Sequence, residues 1–215
     1  MRVGLFGGSF NPIHLGHLRA AEEDREALAL DLVYFIPAAA PPHKPHAGLA
    51  PAEHRLQMVR LATKGNRYFM VSDAEIRRSG QSYTIDTVRH FLSTMRGQAD
   101  LNLIMGGDQF AGLATWKDAE ELVRLCNVAV HTRRSDESEG PAPVSLAAIE
   151  HFGYIREEDH YEHPSGHTLS FVATTFLPIS ATLVRRTIAA RESVRYLVTD
   201  DVAEYIQRHG LYAPL

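Results

Sequence analysis

Apolar residues along the chain fall into six short runs, with stretches of helical period between several of them. The runs are Arg2–Phe6, Leu32–Ile36, Tyr68–Val71, Leu101–Met105, Asn127–Val130 and Leu169–Ala173, and each reads as a strand. Leu15–Leu30 carries Leu15, Leu18, Ala21 and Leu28 on related faces of a helix. Pro51–Thr63 opens on a proline at its first turn and sets Leu56, Val59 and Ala62 at helical spacing. Ile85–Met95 does the same with Ile85, Val88, Phe91 and Leu92. Strands alternating with helices predict an α/β fold, a mostly parallel sheet flanked by helices. In such sheets ligands sit outside the carboxyl ends of the strands, at the topological switch point.

The C-terminal end differs in kind. Thr182–Arg191 and Asp200–His209 are two helical segments in succession, the second with Asp200 or Thr199 as cap and Gly210 as stop. They predict a division into a main domain over 1–178 and a small helical C-terminal subdomain over 179–215, packed on the sheet. Ala38–Pro51, rich in Pro and Ala, reads as an ordered or closing loop. Ser135–Pro143 is polar and acidic and reads as a flexible surface loop. There is no internal repeat.

Composition narrows the class. The 215 residues are 45% hydrophobic and 22% charged, as expected of one soluble globular domain with at most a small appendage. A net charge of −4 argues against a general nucleic-acid binder, so an anionic ligand must be held by local Arg, Lys, His and backbone groups. A single cysteine, Cys126, excludes an internal disulfide. No long uncharged apolar stretch could span a bilayer, and Met1 leads directly into a strand. The expected address is the cytoplasm.

The chemistry concentrates after the first strand, in Gly7-Gly8-Ser9-Phe10-Asn11-Pro12-Ile13-His14-Leu15-Gly16-His17. Glycines at a strand end let backbone N–H groups approach an anion. The helix start that follows adds unpaired N–H groups and a positive dipole end. His14 and His17 share a face of that first turn. This is a nucleotide-phosphate site in outline. A zinc pair is the alternative, with no cysteine or third histidine nearby in sequence. Gly4, Gly7 and Gly8 do not make G-x-G-x-x-G, no acidic residue follows the second strand, and no G-x-x-x-x-G-K-[ST] occurs, which disfavours a dinucleotide fingerprint and a P-loop. Pro178-Ile179-Ser180-Ala181-Thr182-Leu183-Val184-Arg185-Arg186 supplies a hydroxyl cap with Arg185 in the first helical turn. The dipole does not favour a cation there, so an anion shared between amides and guanidinium is one reading. A capped helix with a solvated arginine is the other.

Gly7–His17 resembles the G-x-F-x-P-x-H-x-G-H motif of the nucleotidylyltransferase superfamily, and Ile179–Arg185 resembles its I-S-S-T-x-V-R motif, with Ala181 where the second serine often lies. Pro41-Pro42-His43-Lys44, Ser82-Tyr83-Thr84, Gly106-Gly107-Asp108 and Thr115-Trp116-Lys117 follow in the order seen in bacterial nicotinate-nucleotide adenylyltransferases. The resemblance runs to Gly210-Leu211-Tyr212 and so covers nearly the whole chain. Thr187 stands where a second arginine often follows the first, and Arg186 is adjacent instead. Glu157–His167, with His160, His163 and His167, matches no family motif; a solvated loop is the expected reading and a metal chelate the alternative.

The resemblance implies a Rossmann-like fold and a reaction joining nicotinate mononucleotide to the AMP part of ATP, giving deamido-NAD and pyrophosphate, with Mg²⁺ carried in by ATP. It implies catalytic roles for His14, His17 and Arg185. It places ATP against Gly7, Gly8, Ser9, Phe10, His17, Gly106, Asp108, Ile179, Ser180, Thr182 and Arg185. It places the mononucleotide against Lys44, Thr84, Asp108, Trp116, Lys117 and Arg133, with Trp116 stacked on the pyridine ring and the Thr84 and Lys117 amides on its carboxylate. Trp116 as a packing residue, Asp108 as a helix N-cap, and Lys44 and Arg133 as solvated charges are the structural alternatives.

Overall fold

The computed structural model of the chain describes residues 1–41, 48–78, 80–133 and 143–214. Strand β1 (Arg2–Gly8) leads into helix α1 (Leu15–Ala27), β2 (Leu32–Pro37), α2 (Ala52–Thr63) and β3 (Phe69–Val71). The short α3 (Ala74–Arg77) and α4 (Thr84–Thr94) return the chain to β4 (Asp100–Gly106), followed by α5 (Gly107–Ala111), α6 (Ala119–Leu125) and β5 (Asn127–Arg133). After α7 (Pro143–His151) come β6 (Ile155–Arg156), β7 (Tyr161–Glu162), β8 (Thr168–Thr174), α8 (Ala181–Ala189) and α9 (Asp200–Arg208). The described strands form one sheet in the order β3-β2-β1-β4-β5-β8-β7-β6. The first six are parallel, and β7 and β6 add an antiparallel edge.

Strand order reverses between β1 and β4, so their carboxyl ends, Gly8 and Gly106, flank the switch point. Alternation along the strands divides the core in two. Leu103 and Met105 on β4 join Leu5, Val128, Val130 and the inner faces of α4, α6 and α7. Ile104, between them, joins Phe6, Val33, Phe35 and Ala129, with α1 and α2, on the opposite face. Val184 of α8, Val198, and Val202 and Ile206 of α9 belong to this second cluster. The terminal helices are thus seated on the same sheet face as α1 and α2.

Several boundaries differ from the sequence reading. Helix α1 stops at Ala27, not Leu30, because Ala29 takes a left-handed φ of 49°. Leu30 is still buried, as a linker residue packed in the second cluster. Helices α3, α5 and α6 are too short to show a helical period. Glu157–His167 is more than a loop: it contains β7, and His163 is buried with Nδ1 2.8 Å from Ser165 Oγ. His160 turns to Asp159 and His167 to Asn127. Ser135–Pro143 lies outside the described residues except Pro143, which opens α7.

Candidate nucleotide site

The loop after β1 and the first turn of α1 are built as one unit. Phe10 adopts φ 42° with its ring buried against Phe6, Phe35 and His17, at centroid distances of 5.7, 5.9 and 5.2 Å. His14 is the N-cap of α1 and His17 its third residue, and their rings stack at 3.6 Å and 28°. A Cβ at Gly16 would lie 3.0 Å from His14 Nδ1, so the glycine between the histidines makes room for the first ring. The backbone N–H of His14 donates to His17 Nδ1 at 3.2 Å. With Nδ1 accepting, neutral His17 carries its proton on Nε2. His14 is 7% exposed, and burial lowers its pKa to about 4, so its ring is neutral in the free protein at pH 7.

Two cavities open at the switch point. One, of about 690 Å³, is lined by Gly7, Gly8, Ser9, Phe10, His14, His17, Gly106, Asp108, Ile179, Ser180, Thr182 and Arg185. These are the residues the family resemblance assigns to ATP and to catalysis, drawn from β1, α1, α5 and α8. The second, of about 350 Å³, includes Thr84, Asp108, Trp116 and Lys117 in its wall. Gly7, Gly8, Ser9, Asp108 and Gln109 line both. Lys44 lies outside the described residues, and Arg133 is described only as the last residue of β5.

Arg185 is placed differently from the sequence expectation. Helix α8 begins at Ala181, with Ser180 Oγ accepting from the Leu183 N–H at 3.1 Å. Arg185 is therefore its fifth residue, in the second turn rather than the first. Its guanidinium reaches back to Asn11 O at 2.7 Å and Thr182 Oγ1 at 3.3 Å. Asp108 is not the N-cap of α5 either. Gly106 holds that position, and its N–H donates to Gln109 Oε1 at 3.1 Å. Asp108 is in the first turn, with Oδ1 2.8 Å from where a Gly106 Cβ would be.

Residues that the sequence reading missed hold the two cavities together. Arg55 is fully buried, and it donates to Ser9 O (2.7 Å), Ala38 O (2.6 Å), Ala39 O (3.1 Å) and Ala50 O (2.9 Å). It thereby ties the phosphate loop to both ends of the Ala38–Pro51 segment. Asn11 donates to Gly48 O and accepts from the Ala50 N–H and the Tyr212 hydroxyl. Asp24 on α1 is fully buried, with Oδ2 3.4 Å from His131 Nδ1 at the end of β5. No periodicity or spacing marks these positions, since an apolar-face rule assigns charged residues to solvent.

Polar groups are set into the largely apolar wall of the smaller cavity. Helix α4 begins at Thr84 with no side-chain cap, so its first backbone N–H groups face outward from the helix end. Trp116 follows a 3-10 turn at Leu113–Thr115 and packs half-buried against the first core cluster. The Lys117 ammonium is drawn aside, 3.5 Å from Asp86 and 4.6 Å from the centre of the Tyr83 ring. Glu75 is buried in the wall, accepts from Thr87 Oγ1 at 2.7 Å, and has its pKa raised by burial. Ser82 Oγ accepts from the Ala39 and Ala40 N–H groups.

Comparison with known proteins gives this geometry a family. The cytidylyltransferase-like family model matches residues 5–187. A Geobacter metallireducens protein named "Probable nicotinate-nucleotide adenylyltransferase" is 44% identical, over 99% of this chain and 98% of its own. A Pelobacter propionicus protein of the same name is 42% identical over 99% of both. The structure of Plasmodium falciparum nicotinic acid mononucleotide adenylyltransferase complexed with NaAD superposes with a TM-score of 0.72. It covers 98% of this chain and 97% of its own, at 15% identity, and so shares the fold. A whole-length match at this identity, on top of the matched family model, shows that the chain belongs to the cytidylyltransferase-like family and, within it, to the nicotinate-nucleotide adenylyltransferases.

Proposed function

We propose that the protein transfers the adenylyl group of ATP to nicotinate mononucleotide, giving deamido-NAD and pyrophosphate, a step of NAD biosynthesis. The observation that carries this reading is the meeting of two cavities at Gly7–Ser9 and Asp108. An acceptor in one and a nucleoside triphosphate in the other would bring a phosphate oxygen onto the α-phosphorus at that junction.

The attacking group is already an anion, so the chemistry requires no general base. Catalysis reduces to alignment and charge stabilisation. His17 Nε2–H donates to the phosphates, and His14 braces it from behind through the stacked rings. Arg185 and the N-terminus of α8 receive the leaving pyrophosphate. Trp116 stacks on the pyridine ring, and the amides of Thr84 and Lys117 take its carboxylate. Asp108 holds a ribose hydroxyl at the junction. Arg133 and Lys44 are the remaining cations assigned to the mononucleotide phosphate.

Among the described residues there is no cluster of three or more His, Cys, Asp or Glu side chains able to hold a metal ion. In our reading the divalent cation is Mg²⁺, which would enter with ATP and keep phosphate oxygens and water as ligands. Such an ion supplies charge neutralisation on the triphosphate. No described helix is long and apolar enough to cross a membrane. The site of action in our reading is the cytoplasm. The test is direct: purified protein with ATP, Mg²⁺ and nicotinate mononucleotide is expected to release pyrophosphate and deamido-NAD in equal amounts. Pyrophosphate without the dinucleotide would refute the reading.

A further inference from the structure

The nucleotide cavity contains a third imidazole. His131 lies at the carboxyl end of β5, with its ring edge against Phe6 at 5.9 Å from centroid to centroid. Nε2 would stand 3.4 Å from a Cβ on Gly106, at the cavity wall. Nδ1 points the other way, into the protein, 3.4 Å from Asp24 Oδ2. Asp24 is 0% exposed, and neither of its carboxyl oxygens has a hydrogen-bond partner.

Burial of that carboxyl decides which atom of His131 carries hydrogen. An isolated buried carboxylate is costly, so the pair favours a net-neutral state. There are three such states. In one, Asp24 is ionised and His131 is an imidazolium with hydrogen on both nitrogens. In the second, protonated Asp24 donates to Nδ1, and the imidazole hydrogen sits on Nε2. Both present Nε2–H to the cavity. In the third, protonated Asp24 accepts from Nδ1–H and a lone pair faces outward, but the buried acid O–H is then left without an acceptor, at a cost of about 1–3 kcal/mol. Burial raises the Asp24 pKa, against the lowering effect of His131 beside it.

Position indicates what this donor meets. Arg185 is anchored on Asn11, ahead of α1. His131 Nε2 and Asp108 Oδ1 both lie close to where a Gly106 Cβ would be, at 3.4 and 2.8 Å, so the His131 part of the cavity adjoins the Asp108 carboxylate assigned to a ribose hydroxyl. If the pyrophosphate lies at Arg185 and the α-phosphorus at the junction with the smaller cavity, the nucleoside is left for the wall formed by Gly106 and His131. We propose that His131, held by Asp24, is a nucleoside-binding residue that donates from Nε2 to an acceptor atom of the adenosine half of ATP. Asp24 is the positioning residue that keeps Nε2 protonated. The assignment rests on the adenylyl-transfer reading for its orientation of ATP.

Equilibrium binding separates it from that reading, because no turnover is needed. The probes are a non-hydrolysable ATP analogue and inorganic tripolyphosphate. His131→Ala is expected to weaken the analogue about tenfold, the scale of one lost buried hydrogen bond. Tripolyphosphate binding is expected to stay within twofold. Equal losses for both probes would make His131 a phosphate ligand and overturn the proposal, as would an unchanged affinity for the analogue. Asp24→Leu keeps the imidazole and is expected to give a smaller loss. The ¹⁵N resonances of His131 on the parent protein provide a measurement that needs no folded variant. Nε2 should be protonated in the free state, and its signal should shift when the analogue binds but not with tripolyphosphate. An unprotonated Nε2, or a signal indifferent to the analogue, would overturn the assignment.

Discussion

Arg185 Nη1 donates to the Asn11 carbonyl at 2.7 Å, across 174 residues of sequence. One edge of the guanidinium thereby fixes the loop before α1, and Nη2 touches Thr182 Oγ1. A planar fork with five N–H donors can keep these contacts and still offer hydrogens to a phosphate. An ammonium has three donors on a single atom and cannot span both directions. Arg185→Ala is expected to raise the KM for ATP more than that for the mononucleotide, and Arg185→Lys to recover only part of the loss. Initial rates with each substrate varied in turn provide the check, and equal kinetics for Lys and Arg would refute the shared role.

His17→Ala is expected to fold normally and to lose about 10²–10³ in kcat, the scale for removing one transition-state donor. The half-exposed ring can be removed without opening the core. His14 would lose its stacking partner and its backbone N–H would lose the Nδ1 acceptor. Circular dichroism and single-turnover rates on the same preparation distinguish a folding defect from a chemical one. A variant with near-parent turnover and unchanged ATP affinity would exclude His17 from the chemistry.

The two histidines and the hydroxyl-capped helix are visible in the sequence because local rules make them so. A glycine-rich strand end and a Ser-capped helix are properties of a few adjacent residues. The six principal strands are visible for the same reason, each being a compact apolar run. Arg55, Asp24 and Glu75 are not visible. Arg55 and Asp24 sit on helices whose neighbours follow an ordinary periodic pattern, Glu75 sits on a four-residue helix too short to show one, and the burial of each follows from what the fold brings against it. Arg55 is buried because four carbonyls from three separate segments converge on it. The start of α8 also eludes a pattern reading by one residue, which moves Arg185 from the first turn to the second.

Arg55→Met tests that convergence. The substitution keeps an apolar stem but strands the carbonyls of Ser9, Ala38, Ala39 and Ala50. Each unsatisfied buried acceptor costs about 1–3 kcal/mol, so a loss of at least ~3 kcal/mol is expected. For a chain of this length that is roughly a 6–12 °C fall in Tm. Because Arg55 joins the phosphate loop to the segment bordering the smaller cavity, both KM values should rise together. Calorimetry and steady-state kinetics give the two readouts. A Tm within 2 °C of the parent would show that the carbonyls find other partners, at about the resolution of such scans.

His14 sets a pH dependence of stability. Burial holds its folded pKa at about 4, below the ordinary histidine value of 6.5. Between those values the unfolded chain binds more protons than the folded one, so stability rises with pH. The contribution is complete above pH 6.5 and is lost progressively as pH falls toward 4. Its full size is on the order of 3 kcal/mol. His14→Asn is therefore expected to flatten the urea-midpoint profile between pH 6.5 and 4.5. Parallel profiles for parent and variant would place the proton elsewhere. Bound phosphates act in the opposite direction and favour the charged ring, so a non-hydrolysable ATP analogue should stabilise the parent more at pH 5.5 than it stabilises the variant.

Preference for nicotinate over nicotinamide mononucleotide is expected to arise at the start of α4, not at Trp116. Both substrates offer the same aromatic face, so stacking on the half-buried indole does not tell them apart. They differ in one group. A carboxylate only accepts hydrogen bonds, whereas a carboxamide must also direct an NH₂ somewhere. The uncapped N-terminus of α4 at Thr84 offers donors and a positive dipole end, which suit a carboxylate and meet the NH₂ donor to donor. The Lys117 ammonium, engaged by Asp86, leaves this part of the selection to backbone groups. Glu75, the carboxyl in the same wall, accepts from Thr87 Oγ1, and burial raises its pKa. An imperfectly paired buried polar group costs about 1–3 kcal/mol, roughly a five- to hundred-fold preference for the acid. Trp116→Ala should weaken both substrates by similar factors and leave their ratio nearly intact. Thr84→Pro, which removes one backbone donor at a position where a helix start tolerates proline, should lower the ratio. Values of kcat/KM for both mononucleotides on the parent and the two variants decide each part separately. A parent that favours the amide would remove the carboxylate site from Thr84, and a Trp116→Ala variant that loses only the acid would remove the stacking role from Trp116.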